Sequence, residues 1–181
     1  MDYRKYLYWY KPDQPSFEED LVYREMYCRI GYIFHIIQMI EYNIAMILSI
    51  EEWEKEKDTV FTMEKFEEVK KKIARRFKVL SSKRYTFGTL AREVENSVYL
   101  RDLDKKALKE VVEYRNYLAH MCFKEKLLNG SLKTIEDADR FAMELTDFEG
   151  KAAPLNNYLV SILNKRGTVD LSLLKTPNSE A

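Results

Sequence analysis

Three observations predict an all-α protein. Glycine and proline are scarce in the 181-residue chain, at 5 and 4, which leaves few sites for helix breaks or tight turns. Apolar residues recur every three or four positions over long stretches, the period of a helix face. Helix-start signals, Ser16-x-x-Glu19 and Thr134-x-x-Asp137, stand ahead of two of those stretches. The expectation is one helical domain over 16–167, a bundle of about five helices with two long core helices.

Residues 1–15 hold Tyr3, Tyr6, Tyr8, Trp9 and Tyr10 and are broken by Pro12 and Pro15. This reads as an aromatic arm that packs on its own body or on a partner. The first helix is expected from Ser16 to about Lys57, about 60 Å at 1.5 Å per residue. Its middle, Ile30 to Ile50, is apolar almost all round, yet His35, Gln38, Glu41 and Asn43 interrupt it. Each of these is costly in hydrocarbon, so a membrane span is not expected. Arg24, His35, Gln38, Tyr42 and Ser49 instead form a narrow polar stripe. That stripe is the solvent edge of a core helix, or it faces a cleft that contains Arg115 and His120 and is lined by His35, Gln38 and Glu41, or the apolar remainder is a dimer seam.

A second helix is expected from about Thr62 to Leu80, turned inward through Phe66, Val69, Ile73, Phe77 and Leu80. Its charges are segregated: 51–68 is rich in Glu, whereas Lys70, Lys71, Lys72, Arg75, Arg76, Lys78, Lys83 and Arg84 follow with no acid among them. Such runs are commonly solvated faces. On a chain of zero net charge, a segregated patch is also where a polyanion is first attracted, and Lys71, Arg75, Arg76 and Lys78 are the candidate RNA-binding residues. A short third helix runs from Thr86 to about Ser97 through Leu90 and Val94. Asp102 or Asp104 caps a fourth that frays near Asn129-Gly130, and a fifth runs from Thr134, bent near Gly150 or Pro154, to Arg166. Gly167 stops it, and 168–181 is a loose polar tail.

The inventory narrows the chemistry. Two histidines, two cysteines (Cys28 and Cys122) and no Cys-x-x-Cys or His-x-x-x-His argue against a zinc site and against a disulfide framework. No cofactor is expected. The first residues lack the continuous apolar core of a secretory signal, so a cytoplasmic protein is expected.

The fourth helix carries the chemistry-bearing stretch Glu113-Tyr-Arg115-Asn116-Tyr-Leu-Ala-His120-Met-Cys-Phe123. At about 100° per residue, Leu108, Val111, Val112, Leu118, Ala119 and Cys122 share one face with Arg115 in its middle. A guanidinium there needs an anionic partner, such as Glu41, or a wet cleft. Asn116 and His120 stand four apart, so their side chains are expected to meet beside the arginine.

Arg115-Asn116, followed by His120 after four intervening residues in all, resembles the signature of the HEPN superfamily, whose mark is Arg, a polar residue, then His. The resemblance covers roughly residues 17 to 165 and implies a HEPN-like helical bundle and metal-independent endoribonuclease activity in a toxin–antitoxin or antiviral defence system. In that chemistry the 2′-hydroxyl attacks the adjacent phosphate and leaves a 2′,3′-cyclic phosphate. His120 would move the proton, Arg115 would hold the phosphate, and Asn116 would fix the imidazole or donate to the phosphate. The family joins two such motifs across a dimer, so RNA, a second copy of the chain and an antitoxin protein are the implied partners. One departure stands out: some family toxins carry Tyr two residues after the His, where an antitoxin modifies it, and this chain has Cys122. The other reading is an inactive helical module that binds RNA or a protein.

Overall fold

The computed structural model describes residues 17–60, 62–82, 85–97, 99–128 and 134–166, and every element among them is helical. The elements are α1 (Phe17–Glu56), a 3-10 turn (Lys57–Thr59), α2 (Met63–Leu80), α3 (Phe87–Glu95), α4 (Asp102–Tyr117) continuing as a π-helix (Leu118–Leu128), and α5 (Ile135–Arg166). The aromatic arm, the cap at Ser16, the fraying point at Asn129-Gly130, the stop at Gly167 and the polar tail lie outside the described residues.

Local signals account for most boundaries. The Thr62 hydroxyl accepts from the Lys65 amide at the start of α2, and Thr86 accepts from Thr89 at the start of α3. Thr134 accepts from the Asp137 amide at 3.2 Å and caps α5. Neither Asp102 nor Asp104 caps α4. Asp102 is its first residue, and Asp104, 7% exposed, is held by the fork of Arg101 at 2.7 and 3.0 Å. α5 continues unbroken through Pro154.

Two compact units are built from segments distant in sequence. In the unit formed by 1–37 and 110–153, α1 buries Met26, Ile30, Ile33 and Ile37, and α5 buries Ala138, Phe141, Leu145 and Phe148. Both sets follow the spacing of a single inward face. Arg29 joins these helices, donating to Thr146 at 2.8 Å and lying 3.8 Å from Glu149.

In the unit formed by 38–109 and 154–181, α1 is enclosed all round: residues 43–50 are all buried. Asn43 within that run donates to Asn156 at 2.9 Å, so the buried amide is satisfied. Ser49, expected on the polar stripe, is also buried and donates to the Ala45 carbonyl. α2 returns antiparallel to α1, with Trp53 edge-on to Phe66 (5.8 Å) and Tyr42 edge-on to Phe77 (5.3 Å). The Arg101 guanidinium lies over Tyr158, whose hydroxyl donates to the Tyr99 carbonyl.

By length and composition α1 could cross a membrane, but 67% of its apolar window is buried inside the protein. The two longest helices are α1 and α5, with 40 and 32 residues. The motif helix docks along α5. Tyr114 stacks on Phe148 at 4.2 Å, and its hydroxyl is buried with no hydrogen-bond partner among the described residues. Tyr114→Phe keeps the stack and removes the unsatisfied group, so its melting temperature should match or exceed that of the wild type. Tyr114→Ala should lower stability by about 3 kcal/mol or more, as ring truncations in cores do. A chemical-denaturation series on the two variants checks both, and a clear loss in Tyr114→Phe would show that the hydroxyl is used.

Candidate functional site

Four residues spaced four apart, Tyr114, Leu118, Cys122 and Lys126, hold the motif segment on α5. Leu118 and Cys122 are each 1% exposed. Lys126 lies 3.5 Å from Glu144 and 5.1 Å from the Phe141 ring centre, and at the other end Lys151 pairs with Glu110 at 3.4 Å. The segment therefore runs antiparallel to α5. In an α-helix, residues four apart drift by about 40° per step, and the fourth member of such a row would leave the seam. From Leu118 the chain is a π-helix, whose hydrogen bonds reach five residues back and whose rotation per residue is smaller. The wider turn keeps Cys122 and Lys126 in line with Tyr114 and Leu118.

This geometry changes the expected motif. Ala119, expected inward, is exposed, and Val112 is only half-buried. Arg115 thus lies at the half-buried edge of the face rather than in its middle. It donates to the side-chain amide oxygen (Oδ1) of Asn116 at 3.2 Å and makes no ion pair among the described residues. The carboxylate partner that deep burial would demand, for which Glu41 was the candidate, is not required, because the guanidinium remains in contact with water. His120 is exposed and forms no hydrogen bond among the described residues. The convergence of three polar groups is therefore only partly realised: Arg115 and Asn116 meet, and His120 stands apart from them.

Cys122 is shut in. Burial pushes its thiol up to about 11 against Lys126, which pulls the other way. Burial also pushes the neighbouring Tyr117 up to about 12 and raises Tyr114 further. Cys28, expected within an apolar pattern, is exposed.

The positive run on α2 is less free than its sequence suggests. Lys72 bonds Glu56 at 2.9 Å and pairs with Glu68 at 3.2 Å, and Lys70 pairs with Glu67 at 3.4 Å. The Lys72 bond holds the Glu56 carboxyl below its usual range. Arg76, expected on the RNA-binding face, instead donates to the Leu48 carbonyl at 3.3 Å and lies 3.7 Å from Glu93. Lys71, Arg75 and Lys78 are exposed and carry no ion pair among the described residues. Lys83 and Arg84 lie outside those residues. On α1, His35 and Gln38 are exposed and Glu41 is half-buried. No group of three or more His, Cys, Asp or Glu suited to a metal occurs among the described residues.

No family model, no curated protein and no solved structure matches this chain.

The cysteine environments give a direct check. At pH 7.5 the native chain should take up one equivalent of iodoacetamide, at Cys28, and a second only on unfolding. Below about pH 9 the Cys122 thiol is neutral both folded and unfolded. As pH rises from about 9 to about 11 the unfolded chain ionises it first, so stability should fall across that window, and Tyr117 extends the loss upward. Peptide mapping and urea midpoints measure the two effects. Native labelling of Cys122, or a midpoint that stays flat to pH 11, would contradict the buried setting.

Proposed function

We propose that this chain is a HEPN-type, metal-independent endoribonuclease that acts on RNA in the cytoplasm, in a toxin–antitoxin or antiviral defence system. The observation that carries the reading is the Arg115–Asn116 pair, bonded at 3.2 Å, with His120 exposed on the next turn of the same segment. A half-buried guanidinium without a carboxylate is available to a phosphate, on which it offers two parallel donors. An exposed imidazole is suited to proton transfer near neutral pH. One motif supplies one histidine, so a two-fold dimer completes the set of acid and base. The exposed Leu21 (57%) and Tyr32 (49%) on α1 offer apolar surface for such a partner. The route in which an antitoxin modifies a tyrosine two residues after the histidine does not apply, because Cys122 occupies that place and is buried.

A second reading is a non-catalytic helical module that binds RNA or a protein. It draws on the absence of any bond from His120 to the Arg115–Asn116 pair among the described residues.

Purified protein incubated with total cellular RNA in the presence of chelator should give fragments ending in a 2′,3′-cyclic phosphate. His120→Ala should lower the rate by about 10² to 10⁴, and Arg115→Lys, which keeps the charge but not the fork, should also lose most activity with unchanged melting. Light scattering should report a dimer at micromolar concentration. Wild-type rates in His120→Ala would refute this site, and RNA left intact by the wild-type protein would favour the binding module.

A further inference from the structure

We infer that the exposed face of α2, together with Tyr42 of α1, is a track for single-stranded RNA, on which Lys71, Arg75 and Lys78 hold successive phosphates and Tyr42 stacks on a base. The choice of RNA rests on the ribonuclease reading, whereas the single-stranded form rests on the geometry. Lys71, Arg75 and Lys78 stand at i, i+4 and i+7, one row of a helix about 10 Å long. All three are exposed and, among the described residues, without an ion pair. Their neighbours on both sides are already neutralised: Lys70 by Glu67, Lys72 by Glu56 and Glu68, and Arg76 by Glu93. The unspent positive charge of α2 therefore lies in a single line. Exposed Glu64, two turns before Lys71 on the same row, bounds it at the N-terminal end, with Glu67 and Glu68 one turn before Lys71.

The second observation is an aromatic ring of α1 packed on Phe77, which lies about 100° round α2 from Lys78. Tyr42 is 46% exposed, where α1 passes from exposed Gln38 and Met39 to the buried run 43–50, and it is held edge-on at 78° by Phe77, the residue before Lys78. Among the described residues this ring contact is the only interaction Tyr42 makes. A ring fixed on one side and open on the other is a stacking platform, and bases offer a free face only where the strand is unpaired. A row of cations alone would bind duplex and single strand alike. Tyr42 gives the track its preference.

The test uses the full chain and a fluorescein-labelled 2′-O-methyl oligouridine, which cannot be cleaved because its 2′-hydroxyl is blocked. The wild type should bind it in an anisotropy titration, and a duplex of the same length should compete poorly. Lys71→Glu with Arg75→Glu and Lys78→Glu should weaken binding at least tenfold and reduce the salt slope by about 2, since single strands give about 0.7 per phosphate neutralised. Tyr42→Ala should weaken binding about tenfold with an unchanged slope, and Tyr42→Phe should restore it, because the ring and not the hydroxyl stacks. Circular dichroism melts on each variant confirm that the helices persist. Wild-type affinity in Tyr42→Ala with equal competition by duplex would overturn the track, as would an unchanged salt slope in the triple variant. Binding without cleavage of ordinary RNA would sink the ribonuclease reading and leave the track standing, whereas cleavage unaffected by the triple variant would do the reverse.

Discussion

The seam between the motif segment and α5 is the constraint from which the candidate site takes its form. Tyr114 stacked on Phe148, buried Leu118 and Cys122, and Lys126 between Phe141 and Glu144 make one row with a spacing of four. An α-helix turns such a row away from its partner, and the π-helix from Leu118 brings it back. A run of 11 residues is longer than the single-turn bulges in which this geometry usually occurs. From Leu118 onward the hydrogen bonds of the segment therefore yield to side-chain packing.

The chemistry of the segment follows from that compromise. Because the inward row is Tyr114, Leu118 and Cys122, Arg115 is left at the edge of the face, half-buried, where it needs no carboxylate. The backbone widens after Tyr117, and among the described residues Asn116 and His120 are not hydrogen-bonded to each other. Asn116 turns its side-chain amide oxygen to Arg115 instead. A bond to Asn116 orders the guanidinium without neutralising it, which leaves its charge for an anionic ligand. The same docking encloses Cys122 and keeps its thiol protonated far above neutral pH.

Charge on α2 shows a comparable gap between chain order and space. Along α2 the last acid is Glu68, and all of its bases but Lys65 follow from Lys70 onward. Antiparallel return of α2 along α1 brings Glu56 back to Lys65 and Lys72, and α3 presents Glu93 to Arg76. Exposed pairs of this kind contribute little to stability, and their effect is to decide which cations remain free. Among the described residues of α2, Lys71, Arg75 and Lys78 carry no ion pair, and they share one row.

Much of the fold was legible in the sequence. Helical periodicity located α2 and α3 to within a residue or two, and the Thr134 hydroxyl caps α5 where it was expected; the caps supplied by Thr62 and Thr86 were not read from the sequence. These are local signals, carried by residues within one turn of each other. The residues of the candidate site were also legible as types: Arg115, Asn116 and His120 lie on one segment. Their mutual geometry was not, because it depends on contacts with residues 141 to 148, some thirty positions away, that force a change of helix type. Ser49 and Asn43 read as a polar edge or an interruption and are buried, each satisfied by one hydrogen bond that only the folded chain supplies. Arg76 was counted among the free cations until the tertiary structure set Glu93 and the Leu48 carbonyl beside it. Periodicity reports which side of a helix is apolar, and it carries no record of which helix covers that side or which charges arrive with it.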